Sequence, residues 1–225
     1  MATNITDALI DELGIRLEDA SESNFTEATK VLALNRGQIQ CCHFLHNAYL
    51  TELETLDGSD DIDTGEFALS SLANTVLKGS EGIIRVSVQV ANTGDYIWAT
   101  ELDLNNIKRV ENIYLAGSDT NILYYIFSGT IYFLLDTLAD SNAKIYYLKV
   151  PTDMAPSTGD DVDPTINVGL HEILLLFAEA ICWTMDGQID RRTKAMESAL
   201  AQVEKLNKKY TPADNIGTKG RIRVE

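Results

Sequence analysis

Apolar residues recur at helical spacing near both ends of this chain and alternate at strand spacing in its middle. Thr6 precedes Leu9, Ile10 and Leu13 and predicts a capped helix that stops near Gly14 or Leu17. Thr26 followed by Glu27 opens a second short helix through Val31, Leu32 and Leu34. From Asn35, the residues Ile39, Cys42, His46, Tyr49, Leu53 and Leu56 recur at steps of three and four. They share one face of a longer predicted helix, which Asp57-Gly58 ends.

Beyond an acidic loop at 57–66, Phe67–Leu77 fits either helix or strand. Ile83–Val90 then alternates and is β-branched, which predicts a strand. Tyr96–Thr100 is its expected hairpin partner across Asn92-Thr93-Gly94-Asp95. Ile113–Ala116 reads as a short strand. Ile122–Phe127 and Thr130–Leu135 flank Ser128-Gly129, a tight-hairpin signal. The expected facing sets are Leu123, Tyr125 and Phe127 against Ile131, Phe133 and Leu135. Lys144–Val150 is a further strand closed by Pro151.

A polar connector at 152–165 leads back to helical periodicity. Val168–Met185 is apolar nearly all round and predicts a buried helix, broken at Asp186-Gly187. Ile189, Met196, Val203 and Tyr210 are spaced by seven, with Ala199 and Leu206 between them and Arg192 as the exception, so the next helix has a heptad seam. The pair predicts an antiparallel helical hairpin. The fold class is therefore α+β: a helical bundle from the N- and C-terminal helices, an inserted small antiparallel β-sheet domain and an extended C-terminal arm. The expected boundaries are 1–57 for the first helices, 58–151 for the β-rich insertion, 152–165 for the acidic connector, 166–210 for the helical hairpin and 211–225 for the arm.

Charge divides the chain unevenly. Half of its 18 Lys and Arg lie in the last 35 residues, which carry a net +5, while residues 1–190 carry −21 of the total −16. An acidic body with a basic end favours contact between copies or docking on an acidic partner. It argues against a nucleic-acid-binding body, because phosphate contacts need clustered cations. The first residues show neither a basic start nor an apolar run, so no signal peptide is expected. The longest apolar run, Ile173–Ala178, is framed by Glu172 and Glu179 and is short for a membrane helix. Three cysteines, two of them adjacent, do not make a disulfide framework, which suits a reducing cytosol.

Motifs for chemistry are sparse. Cys42 and His46 stand four apart and could share a helix face as zinc ligands, but Cys42 also lies on the apolar stripe, and a core-lining helix is the simpler reading. Asp57, Ser59, Asp61 and Asp63 alternate as calcium-loop ligands do. Ile62 stands where such a loop needs glycine, and Ala68 where it needs glutamate, so a solvated loop is expected. His171-Glu172 lacks the second histidine of a zinc-protease motif, since position 175 is leucine. No phosphate-binding glycine loop or serine-hydrolase elbow is present. The doublets Tyr124-Tyr125, Tyr132-Phe133 and Tyr146-Tyr147 could stack bases, but sheet packing accounts for them in an acidic chain. The tail Lys219-Gly-Arg221-Ile222-Arg223-Val224 alternates basic and apolar residues and could add as a strand to another subunit. No enzyme activity, cofactor or metal is expected.

Several segments resemble the head-to-tail connector proteins of tailed bacteriophages, also called adaptor or neck-ring proteins. Phe25-Thr26-Glu27 through Leu34-Asn35-Arg36 is similar to the cap, short helix and Leu-Asn step near the start of such adaptors. Asn121–Leu135 resembles their aromatic hairpin, and Ile145–Pro151 their closing strand. His171–Trp183 with Asp186–Leu206 resembles their C-terminal helical pair. The stretch 64–120 matches least. The resemblance implies a virion protein of the neck or tail, assembled in the host cytoplasm, that forms a ring, commonly of twelve copies, between the portal protein and the tail or other neck proteins. Such a ring extends the DNA channel, passes genomic DNA without specific binding and gives the tail a docking platform. It contacts no membrane. Carried over, Lys219, Arg221, Ile222, Arg223 and Val224 would bind the portal or a neighbouring subunit. Asp57, Asp60, Asp61, Asp63, Asp160 and Asp161 are the candidate acids facing the channel. Another virion ring or tail-tube component would share these features, and a cytosolic metal protein or enzyme using Cys42, His43 and His46 is the remaining alternative.

Overall fold

The computed structural model describes residues 5–19, 21–103, 117–156 and 162–210. It combines helices with two β-sheets, an α+β fold. Contacts divide the chain into two compact units. One comprises Met1–Leu53 with Val150–Lys209, and the other contains Glu54–Lys149. The predicted strand Ile113–Ala116 and the arm at 211–225 lie outside the described residues.

The helical unit holds α1 (Ile5–Arg16), α2 (Glu27–Phe44), α3 (His171–Met185) and α4 (Ile189–Asn207). Thr26 caps α2 as its sequence predicts, its hydroxyl accepting from Thr29 N at 3.3 Å. Thr6 is no cap: Ile5 is already helical, and the buried Thr6 hydroxyl donates to Val162 O at 2.8 Å. The two helices expected at 26–56 are one helix that ends at Phe44. Asn35 looks like a helix boundary, yet its amide clasps Met154 in two hydrogen bonds of 2.7 and 3.2 Å. Gln38 clamps Thr152 O and Thr165 N in the same way. After Leu45 the chain leaves the helix, and short 3-10 turns cover Asn47–Tyr49 and Thr51–Leu53.

α3 is the most buried of the four helices, with Leu174, Phe177, Ala178 and Cys182 fully enclosed. It packs on α2 and on α4. By length and composition Val168–Met185 would suffice to cross a membrane, yet 56% of it is buried inside the protein, as in a core helix. The close crossing with α2 depends on Gly37, where an added Cβ would stand 3.0 Å from Ala178 N and 3.1 Å from Leu174 O. The seam of α4 differs from the expected heptad. Ala195, Ala199 and Val203 are its buried residues, four apart, and Ile189 is 69% exposed. The small alanines let α4 lie close to α3, and Ile189 falls in the first turn, beyond that contact.

The β unit has two four-stranded sheets, where one small antiparallel sheet was expected. One has the order β1-β8-β3-β4, formed by β1 (Glu54–Asp61), β8 (Asn142–Leu148), β3 (Ile83–Gln89) and β4 (Ile97–Trp98). The other has the order β2-β7-β6-β5, formed by β2 (Glu66–Ala68), β7 (Thr130–Leu134), β6 (Leu123–Phe127) and β5 (Thr100–Glu101). Their pairings are antiparallel except β5 with β6. Val86, Val88, Ala143 and Ile145 of the first sheet share one core with Tyr124, Ile126, Ile131 and Phe133 of the second.

The predicted hairpin at Ser128-Gly129 is present, and both turn residues have positive φ, 49° and 78°. That turn suits the twist of the strands. It also sets a register that corrects the expected faces. Ile126 pairs with Ile131 and Tyr124 with Phe133, and these are the core pairs. Tyr125 instead stacks on Tyr132 at 4.9 Å on the opposite face, and Phe127 is exposed. A two-residue loop pairs odd positions with even ones, so Tyr125 cannot share a facing pair with Phe133.

Candidate functional site

Half of the acidic loop expected at 57–66, Asp57–Asp61, belongs to strand β1. Its residues have poor strand propensity, and pairing with β8 holds them. Asp57 stands opposite Ile145 and Asp60 opposite Ala143, with a bulge between them. Asp57 accepts from Ala73 N at 2.8 Å and from Gly58 N at 3.0 Å. Asp61 accepts from Asp63 N at 2.8 Å, and Asp63 accepts from Ser141 N at 3.2 Å. These carboxylates therefore organise the turn and the strand ends. Asp60 differs. Its Oδ2 is buried and has no hydrogen-bond partner among the described residues. Burial, with the Asp57 charge second, pushes its carboxyl above the usual range. Asp160, Asp161, Lys219, Arg221, Ile222, Arg223 and Val224 lie outside the described residues.

The metal candidates separate. Cys42 is enclosed in α2, while His46 lies past the helix end, where its Nδ1 accepts from Ala48 N at 3.2 Å. No group of three or more His, Cys, Asp or Glu placed to hold a metal occurs among the described residues. His171 is half-buried against Ile166 O, and burial lowers its pKa.

The surface that stands out is the outer face of the β1-β8-β3-β4 sheet. Alternation turns Val86, Val88, Ala143 and Ile145 inward, and so turns Arg85, Lys144 and Tyr146 outward. Trp98 is paired with Ser87 and lies diagonal to Arg85. The Arg85 guanidinium lies 5.4 Å from the Trp98 ring centre, and Trp98 tilts against Tyr146 at 5.5 Å. Lys144 Nζ stands 3.8 Å from the centre of the Tyr96 ring. Arg85 and Lys144 are the two cations that the eight strands among the described residues carry, and each stands over an aromatic ring. An open groove of about 490 Å³ runs here, lined by Leu56, Ile84, Arg85, Trp98 and Tyr146 with Glu54 and Thr55.

Trp98 is 54% exposed and Leu56 46%. The lining offers aromatic faces, an aliphatic floor, one guanidinium and one carboxylate, and neither histidine nor cysteine. Such a surface suits a partner with apolar and acidic groups. The sequence reading missed it, although one signal was there: a lone cation at an alternating position in each of two strands, with Trp98 in the strand beside β3. The sequence matches no protein-family model and no curated protein.

Proposed function

We propose that this chain is a structural assembly protein of the connector kind its sequence resembles. Copies form a ring between portal and tail, extend the DNA channel and offer the tail a platform. In this reading the N- and C-terminal helices form the bundle, the sheets are its inserted domain, and residues 211–225 are the docking arm.

The observation that carries the reading is the aromatic and basic outer face around Trp98, set in a chain of net charge −16. An exposed apolar patch rimmed by charge is the usual mark of a protein–protein surface. Cations over its rings would favour an acidic surface opposite, which other copies of this chain supply. A channel walled by such an acidic protein would let DNA slide without sticking.

Mixing the purified full-length chain with the portal protein tests this. Mass measurement and electron microscopy should find a ring of the chain on the portal. A chain that stays monomeric and unattached in that mixture would refute the proposal.

A further inference from the structure

Among the described residues, strand β1 is the one long strand at a sheet edge. The other edge strands, β2, β4 and β5, have two or three residues, and β1 has eight. None of its described side chains is fully buried. An edge of that length is a template for another strand, which proteins ordinarily shorten or cover.

The chemistry of the edge selects what could pair there. Ile145 and Ala143 face the core, so their partners Asp57 and Asp60 project to the same side of the sheet. The bulge between them makes this possible, because one extra residue restores the alternation. Glu54 and Leu56 project to the opposite side, where Leu56 is 46% exposed. β1 therefore offers two carboxylates on one side and an uncovered leucine on the other. One of those carboxylates, Asp60, has a buried oxygen with no donor among the described residues.

We propose that β1 receives Lys219–Val224 of a second copy as an added strand. The segment has the matching pattern. Arg221 and Arg223 share one side of an extended chain, and Ile222 and Val224 share the other. Placed beside β1, the two arginines face Asp57 and Asp60, and Ile222 covers Leu56. β1 carries four acids and no cation, whereas 216–224 carries three cations and no acid. Backbone pairing supplies affinity in such a contact, and the alternating side chains supply selectivity. The inference rests on the assembly reading and names the receptor of its arm.

The test uses full-length chains, one bearing Leu56→Cys and the other Ile222→Cys. The three native thiols are enclosed, so the new pair reacts selectively. Mild oxidation of the mixture should give a mixed covalent dimer, and Arg221→Glu with Arg223→Glu should cut its yield about tenfold or more. Ring formation on the portal is scored separately by mass. Rings without the covalent dimer would overturn the strand pairing and leave the ring reading standing. The dimer without rings would sustain the pairing and refute the ring. A chain carrying both cysteines that closes a disulfide within itself at high dilution would overturn the assignment to a second copy.

Discussion

The guanidinium of Arg85 lies 5.4 Å from the centre of the Trp98 ring, and more than half of that tryptophan still faces solvent. The chain has one other tryptophan, Trp183, which is 5% exposed. Quenching by acrylamide should therefore resolve two emitters, and Trp98→Phe should remove the accessible one. Arg85→Ala should cost about 0.5–1 kcal/mol, the value of an exposed cation–π contact. Trp98→Ala loses the same contact and the Tyr146 ring pair, so it should cost about 1–2 kcal/mol and reduce ring formation on the portal. Normal rings from that variant would remove the outer face from the assembly reading.

Gly37 sets the distance between α2 and α3. The atoms an added side chain would meet are backbone, so the helices themselves must part. Gly37→Val should destabilise the protein by about 1–3 kcal/mol, the usual cost of overpacking. This outweighs the roughly 0.5 kcal/mol that valine gains over glycine in a helix. Urea unfolding of the variant measures the difference.

Thiol chemistry reports on the same helical unit. Cys41, Cys42 and Cys182 are all buried, and burial pushes the Cys182 thiol up to about 12. A thiol reagent at mildly alkaline pH should label none of the three in the native protein and all three in denaturant. Rapid native labelling would mean that α2 and α3 open readily.

Acid sensitivity should come in two stages. Asp19 accepts from Phe25 N at 2.6 Å and from both the hydroxyl and N–H of Ser23, at 2.7 and 2.9 Å. The Phe25 bond and then the Ser23 hydroxyl hold its carboxyl down at about 2, below its ordinary 3.8. Its contribution is complete above 3.8 and is lost as the pH falls from there through about 2. His171 has its pKa lowered from 6.5 by burial, so its contribution is complete above 6.5 and is lost as the pH falls through its folded value. Urea midpoints should decline first on the His171 limb and again on the Asp19 limb. Asp19→Asn should flatten the second decline and leave the first in place.

Local chemistry made some of this fold legible in the sequence. Thr26 capped its helix, Ser128-Gly129 made its hairpin, and the alternation of Ile83–Gln89 made a strand. What stayed hidden is decided by distant partners. Glu54–Leu56 reads as the end of a helix and Asp57–Asp61 as a solvated loop, and only β8 makes them a strand. Asn35 looks like a boundary within α2, but it and Gly37 are points where other segments of the helical unit are gripped or admitted. The groove was hidden for a related reason: Leu56, Arg85, Trp98 and Tyr146 come from four strands, and only the pairing order unites them. Among the expected site acids, Asp57 and Asp60 do share a side, which required a bulge that no sequence period reveals.

The pairing of Glu54 with Leu148 has a consequence for the order of folding. α2 finds its main partner in α3, which leaves the ribosome only after the whole β unit. Unfolded, that unit would be a loop of about a hundred residues to close before α2 could meet α3. Once its sheets form, its first and last strands lie side by side, and the loop between α2 and α3 shrinks to the roughly 30 residues outside the β unit. On the logarithmic law this saves about 1 kcal/mol of closure entropy. The β unit would then act as a folding clasp, maturing during synthesis and handing the two halves of the helical unit to each other as neighbours.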